Sequence, residues 1–351
     1  MKSECSLVVF LGLVILALPA SGWGSVLKIS THPATQYGTP YPQVAVDPSG
    51  NAYVTWQGSD ENDSEIYWVK VDETGVPGTV KKISTHPDNI DAYDVSPQIA
   101  VDAQGNSYVV WDGWSGIADD IYWVKIDATG MPGTVKKISI YPDDRHRFEG
   151  LPQIAVDAQG NSYVVWNGIR SGYPNKWDIY WVKVDSSGVF ETAQLISTHP
   201  DNIDEMDFLP QIAVDPSGNS YVTWDGWDGN DREIYWVKVD ATSISGTVLK
   251  VSTHPDNINT HDQYPQIAVD SSGNSYVVWD GREEKSDGIE ETEIYGVRVD
   301  AKGVPWAVQK ISIHPDNIDL PDQMSRIAVD ATGNFYLYGG VGTDDTVTYT
   351  G

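Results

Sequence analysis

The chain repeats itself. The block Pro97-Gln98-Ile99-Ala100-Val101-Asp102 returns at Pro42–Asp47, Pro152–Asp157, Pro210–Asp215 and Pro265–Asp270, with a degraded sixth copy at Ser325–Asp330. Successive copies are offset by 55, 55, 58, 55 and 60 residues. A period of this size means one supersecondary unit copied into an array, in which neighbours complete one another's cores.

The second copy serves to read the unit. Gln98–Asp102 is a first strand, Ala103-Gln104-Gly105-Asn106 a turn, and Ser107–Trp111 a second strand. Gly and Asn tolerate positive φ between short apolar runs, so this pair is a hairpin, with Asp102 capping its turn. Asp120–Asp127 is a third strand, and Thr134–Ser139, after the turn at Ala128–Gly133, a fourth. Tyr108 and Val110 are apolar, but so are Val109 and Trp111, which suits a sheet packed on both faces. No segment carries sustained helical periodicity. Ser25–Ser30 matches a fourth strand with no first three before it, while Arg326–Asp330, Asn334–Tyr338 and Thr346–Thr350 read as three strands with no fourth. The prediction is all-β: a six-bladed β-propeller with four-stranded blades, its last blade closed by the N-terminal strand.

Residues 1–22 read as a secretion signal, with Lys2, an apolar run from Leu7 to Ala20 and small residues Ala20-Ser21-Gly22. The apolar run is short for a membrane span, and an uncleaved anchor is the alternative. Residues 23–351 then form a single propeller domain, with no membrane span in the mature chain. Cys5 is the one cysteine and lies in the signal, so the exported chain relies on its core and not on disulfides. The net charge is −28, and removing Lys2 and Glu4 with the signal leaves it unchanged. A field this negative excludes nucleic acid and anionic membrane as partners. It is compatible with divalent cations, and equally with solubility alone.

The hairpin Pro152-Gln153-Ile154-Ala155-Val156-Asp157-Ala158-Gln159-Gly160-Asn161-Ser162-Tyr163-Val164 resembles that of NHL-type and related propeller repeats. Glu233-Ile234-Tyr235-Trp236-Val237-Lys238-Val239-Asp240 resembles the Asp-Ile-Tyr strand of sialidase-like and TolB-like secreted propellers. The resemblance covers nearly all of the mature chain and implies a secreted or cell-surface repeat propeller. Such families include protein binders, glycan binders and some enzymes. The Ser-x-Asp-x-Gly-x-Thr-Trp box of the sialidases is absent.

The turns between strands one and two and between three and four are short and constant. The second-to-third loops and the connections between blades are long and variable, which marks their face as the functional one. Three polar layers recur there. One is the Ser-Thr-His-Pro-Asp-Asn-Ile connection at Ser84–Ile90, Ser197–Ile203 and Ser252–Ile258, with a variant at Ser312–Ile318. The second is an acid three residues before each Pro-Gln: Asp94, Glu149, Asp207, Asp262, and Asp322 in the last blade. The third follows the second-strand Trp: Gln57, Asp112, Asn167, Asp225 and Asp280. An inner rim carries Gln43, Gln98, Gln153, Gln211, Gln266 and, as the exception, Arg326.

The five histidines at one repeat position, His32, His86, His199, His254 and His314, fall on different blades, too far apart to share a zinc ion. They read as turn residues. Asp88, Asn89, Asp91 and Asp94, and likewise Asp201, Asn202, Asp204 and Asp207, cluster oxygens as calcium requires, although turn capping also explains them. Calcium is the one candidate cofactor. The Trp residues within strands two and three read as packing between blades. Trp114, Tyr173, Trp177 and Trp227 sit in variable loops and suit stacking on sugar rings or an aromatic protein contact.

The expected function is therefore a secreted or cell-surface binding module for carbohydrate or a surface protein. Trp114, Tyr173, Trp177 and Trp227 would give stacking surface, Asp112, Asp225 and Asp280 would accept hydrogen bonds from hydroxyls, and Arg326 would break the ring's symmetry. The alternatives are a structural cell-envelope propeller and a polysaccharide-cleaving enzyme, either a glycoside hydrolase or a lyase. Catalysis by two carboxylates needs unlike environments, and blades this regular argue against it.

Overall fold

The computed structural model of the chain describes residues 7–10, 13–16, 29, 41–59, 63–86, 93–141, 148–169, 176–199, 206–243, 245–253, 261–284, 290–312, 322–330, 334–341 and 345–350. Among them there are strands and turns and no helix, and so no helix long and apolar enough to cross a membrane. The chain divides into two compact units, Met1–Ser162 with Val184–Ala193, and Tyr163–Lys183 with Gln194–Gly351.

In the first unit, repeat one (Gln43–Val46, Ala52–Ser59, Ser64–Val71, Lys81–Lys82) is a four-stranded antiparallel sheet in chain order. Repeat two (Asp94–Val101, Ser107–Trp114, Asp119–Ile126, Lys136–Lys137) is another. In the second unit, repeat four (Phe208–Val214, Ser220–Trp227, Arg232–Val239, Leu249–Lys250) and repeat five (Asp262–Val269, Ser275–Glu284, Glu290–Val299, Gln309–Lys310) do the same. Asp322–Val329, Phe335–Val341 and Asp345–Thr350 of repeat six form a three-stranded sheet. The division between the units passes through repeat three (Glu149–Val156, Ser162–Ile169, Trp177–Val184, Gln194–Leu195). Sheets of this build fit the blades of a propeller.

Of the segment read as the closing strand only Ile29 is described, and it packs on the apolar cluster of repeat one. Leu7–Phe10 and Leu13–Leu16, within the segment read as a secretion signal, pair antiparallel with each other.

Second and third strands are buried on both faces, as the unbroken apolar runs require. Tyr108, Val109, Val110 and Trp111 are all inaccessible to solvent. The hairpin turn is capped as expected: Asp102 Oδ1 accepts from the backbone of Gln104 and Asn106, and Oδ2 from the Asn106 amide and the Tyr108 hydroxyl. Successive repeats touch at this turn. Gly273 has φ +81°, and a Cβ there would lie 2.7 Å from the Tyr221 hydroxyl of the preceding repeat, so only glycine fits.

Strand limits differ from the sequence reading in three ways. The second strand runs on to Trp114 and Trp227, and in repeat three the third begins at Trp177, so these three aromatics are strand ends and not loop residues. In repeats two, three and five the first strand begins three residues before the proline, and in repeat four two. Asp94 pairs with Gly113 and Val95 with Asp112, and pairing resumes at Gln98 with Val110. Proline cannot donate to the ladder, so the chain passes it in a bulge instead of ending. The residue before that proline takes a left-handed conformation at Ser96, Leu151, Leu209 and Tyr264, with φ between 52° and 57°. The fourth strand is shorter than expected, with Lys136–Lys137 paired to Trp123 and Tyr122.

Candidate functional site

The bulge shapes one end of the sheet in repeats two, four, five and six. It sets the acid three residues before Pro-Gln inward, where a second-strand indole donates to it. Trp111 Nε1 bonds Asp94 Oδ1 at 2.8 Å, and Trp224 Nε1 bonds Asp207 Oδ1 at 3.1 Å. Both carboxylates are buried and act within the blade. These two were nominated as calcium ligands; Asp88, Asn89, Asp91, Asp201, Asn202 and Asp204 lie outside the described residues. Among the described residues one other group could hold a metal ion. The nearest carboxylate oxygens of Asp228, Asp231 and Glu233 lie within 4.8 Å of one another. The Lys250 ammonium already bridges two of them, 2.8 Å from Asp228 and 2.5 Å from Glu233.

The histidine layer is structural where described. His86 packs on the Tyr122 ring at 4.9 Å and His199 on Tyr235 at 5.0 Å, each reaching into the following repeat.

In the first unit, half-buried Trp114 stacks on Tyr93 at 6.4 Å, and the Tyr93 hydroxyl donates to Asp119. Asp112 keeps some accessible surface, but its Oδ1 is enclosed and meets no donor. Burial pushes this carboxyl up to about 7, helped by the charge of Asp119 and opposed by hydrogen bonds from Ser96 and its own backbone.

In the second unit the nominated residues form a connected group. Trp177 packs on Phe208 at 5.5 Å, and the Arg232 guanidinium lies 5.2 Å over the same ring. Arg232 pairs with buried Asp225, whose Oδ1 has no partner. Burial pushes Asp225 up to about 6 against the attraction of Arg232. The Arg232 backbone N–H donates to His261 Nδ1 at 3.1 Å, and Trp227 packs on the His261 ring at 5.9 Å. His261 in turn lines a cleft of about 460 Å³ together with Asp280, Arg326, Gln211, Gln266 and Tyr264. Tyr264 is 55% exposed there, on the left-handed bulge. Asp280, Arg326 and two rim glutamines thus meet, with Trp227 one ring behind them. Trp114 and Asp112 belong to the first unit, and Tyr173 lies outside the described residues.

No protein-family model matches the sequence, and no curated protein matches it. Among solved structures, a polysaccharide lyase described as an ulvan lyase superposes with a TM-score of 0.57 at 14% identity, over 87% of this chain and 78% of its own. A second polysaccharide lyase matches 96% of this chain and 84% of its own at TM-score 0.52 and 9% identity. The NanB sialidase of Streptococcus pneumoniae matches 85% of this chain and 64% of its own at TM-score 0.50 and 9% identity. These neighbours are propeller-type carbohydrate-active proteins, and at such identities the likeness is one of fold.

Sequence reasoning missed His261, Tyr264 and Phe208. A usable signal existed. The residues flanking each acid (Tyr93 and Val95, Phe148 and Gly150, Met206 and Phe208, His261 and Gln263) and the residue before each proline (Ser96, Leu151, Leu209, Tyr264) vary, while the Pro-Gln that follows stays constant.

Proposed function

We propose that the protein is a secreted or cell-surface six-bladed propeller, closed by its N-terminal strand, that binds carbohydrate through the cleft of Asp280, Arg326 and Tyr264. The observation that carries this reading is the convergence there of a carboxylate, a guanidinium, two amides and an exposed aromatic ring. Sugars need this combination: hydroxyls take paired donors and acceptors, and the apolar face of the ring stacks on an aromatic side chain. The naming of two polysaccharide lyases and a sialidase among the fold neighbours supports a carbohydrate ligand.

Affinity electrophoresis of the mature protein through gels holding neutral and acidic polysaccharides, ulvan included, tests the proposal. The expected result is retardation by one polymer without shortening it, weakened about ten-fold in Tyr264→Ala and in Arg326→Ala. Loss of retardation with a chelator would add calcium, held by the Asp-Asn connections. No retardation by any polymer overturns the carbohydrate reading in favour of a protein partner or an envelope scaffold.

A polysaccharide-cleaving enzyme is the second reading. It is favoured by carboxyls raised toward neutrality at Asp112 and Asp225, which suit proton transfer near pH 7. Shortening of the polymer in the same gel, abolished by Asp225→Asn, would decide for it.

A further inference from the structure

The third strands read Ile-Tyr-Trp-Val-Lys in the first four repeats, with Trp68, Trp123, Trp181 and Trp236 all buried. Each indole lies against the next repeat. Trp123, Trp181 and Trp236 donate through Nε1 to Ser162, Ser220 and Ser275, at 3.0–3.2 Å. The fifth repeat breaks this pattern at every partner. Gly296 replaces the Trp, Phe335 replaces the Ser, Arg298 replaces the Lys, and Trp306 stands where Gly78, Gly133 and Gly246 stand elsewhere.

The result is a cavity of about 320 Å³ where the other repeats hold an indole, walled by Val278, Val297, Ile311, Ile327 and Phe335. It lies toward the opposite ends of the strands that carry Asp280 and Arg282 to the sugar cleft. Its mouth is polar. The Arg298 guanidinium stacks 4.3 Å over Trp306, which is 58% exposed and anchored by its backbone N–H to the Arg298 carbonyl. Arg298 Nε is shielded from water and meets no acceptor among the described residues. A shielded guanidinium N–H without an acceptor is costly, and a carboxylate satisfies it best.

We propose that this cavity is a second binding site, taking a small aromatic acid. The flat ring enters the space vacated by tryptophan, and the acid group meets Arg298 against the Trp306 face. The walls suit an aromatic ring because their counterparts enclose one in four other repeats. The walls offer few polar groups to hold water, so a ring entering the cavity displaces few ordered waters.

Isothermal titration with indole-3-acetate, indole and acetate tests this. Indole-3-acetate is expected to bind at one site, indole about ten-fold more weakly, and acetate not at all. Arg298→Gln should erase the difference between the first two probes. Gly296→Trp with Phe335→Ser restores the pair found in the other repeats and should abolish binding. Because a Cβ on Gly296 meets Ile311 Cδ1 at 2.5 Å, Val278 Cγ1 at 3.2 Å and the Val277 carbonyl at 3.3 Å, that variant risks misfolding, and Trp306→Ala at the exposed mouth provides the independent check. Several-fold weaker binding in Trp306→Ala supports the site. Unchanged or tighter binding there, or no saturable binding of either indole probe at millimolar concentration, overturns it.

Discussion

An Asp215→Ala variant is expected to unfold about 3–5 kcal/mol more easily than the parent, read as a lowered urea midpoint by circular dichroism. The carboxylate is buried and accepts four hydrogen bonds. Oδ1 takes the backbone N–H groups of Ser217 and Asn219, and Oδ2 takes the Asn219 amide at 2.7 Å and the Tyr221 hydroxyl at 2.9 Å. Alanine strands the buried Tyr221 hydroxyl outright and leaves three part-buried donors that water satisfies only in part, so the orphans carry a desolvation penalty. Tyr221 also holds the turn of the next repeat in place, so the loss spreads beyond one hairpin.

The same residue fixes the response to acid. Burial alone would raise the Asp215 carboxyl, but hydrogen bonds from Asn219, Tyr221 and Ser217 outweigh it and hold the group below its ordinary 3.8. A depressed folded-state value stabilises the fold above pH 3.8 and loses that contribution as pH falls through the folded value. Asp47 and Asp270 are held down by equivalent bonds, so the acid transition should be steep and should flatten in Asp215→Ala.

Asp112→Asn is expected to act in the opposite direction, stabilising the protein by about 2–4 kcal/mol at pH 8 and having no effect below pH 3.8. Its carboxyl is raised to about 7 by burial, so the folded state keeps its proton while the unfolded chain has released one. Stability is fully present below the unfolded value and declines as pH rises toward 7. Asparagine is neutral throughout and removes the decline. Thermal melts of both proteins from pH 3 to pH 8 check this. Parallel curves for parent and variant would mean that Asp112 is solvated.

The strands and turns were legible because their causes are local. Gly105 takes positive φ, Asp102 needs backbone donors two and four residues on, and a two-sided apolar run needs two covered faces. The bulge was not legible, because Pro97 reads as a strand end when only its missing N–H is considered. The cleft of Asp280 and Arg326 was half legible. Asp280 and Arg326 follow from repeat positions, but His261 and Tyr264 precede Asp280 by 19 and 16 residues, and only the antiparallel register of Gln263 with Asp280 returns them to it. Asp112 and Asp225 hold one repeat position and looked interchangeable. Arg232, the first residue of a third strand whose other copies begin differently, gives one of them a cation and leaves the other with none among its described partners.

The left-handed residue ahead of each proline has one further consequence. Its backbone is fixed by the ladder on either side, and its side chain is free to change between copies, from Ser96 through Leu151 and Leu209 to Tyr264. Selection can therefore rewrite these positions one at a time with little effect on folding. A chain built by duplication gains in this way a set of adjustable points on an otherwise uniform frame, and divergence in ligand choice can run ahead of divergence in structure.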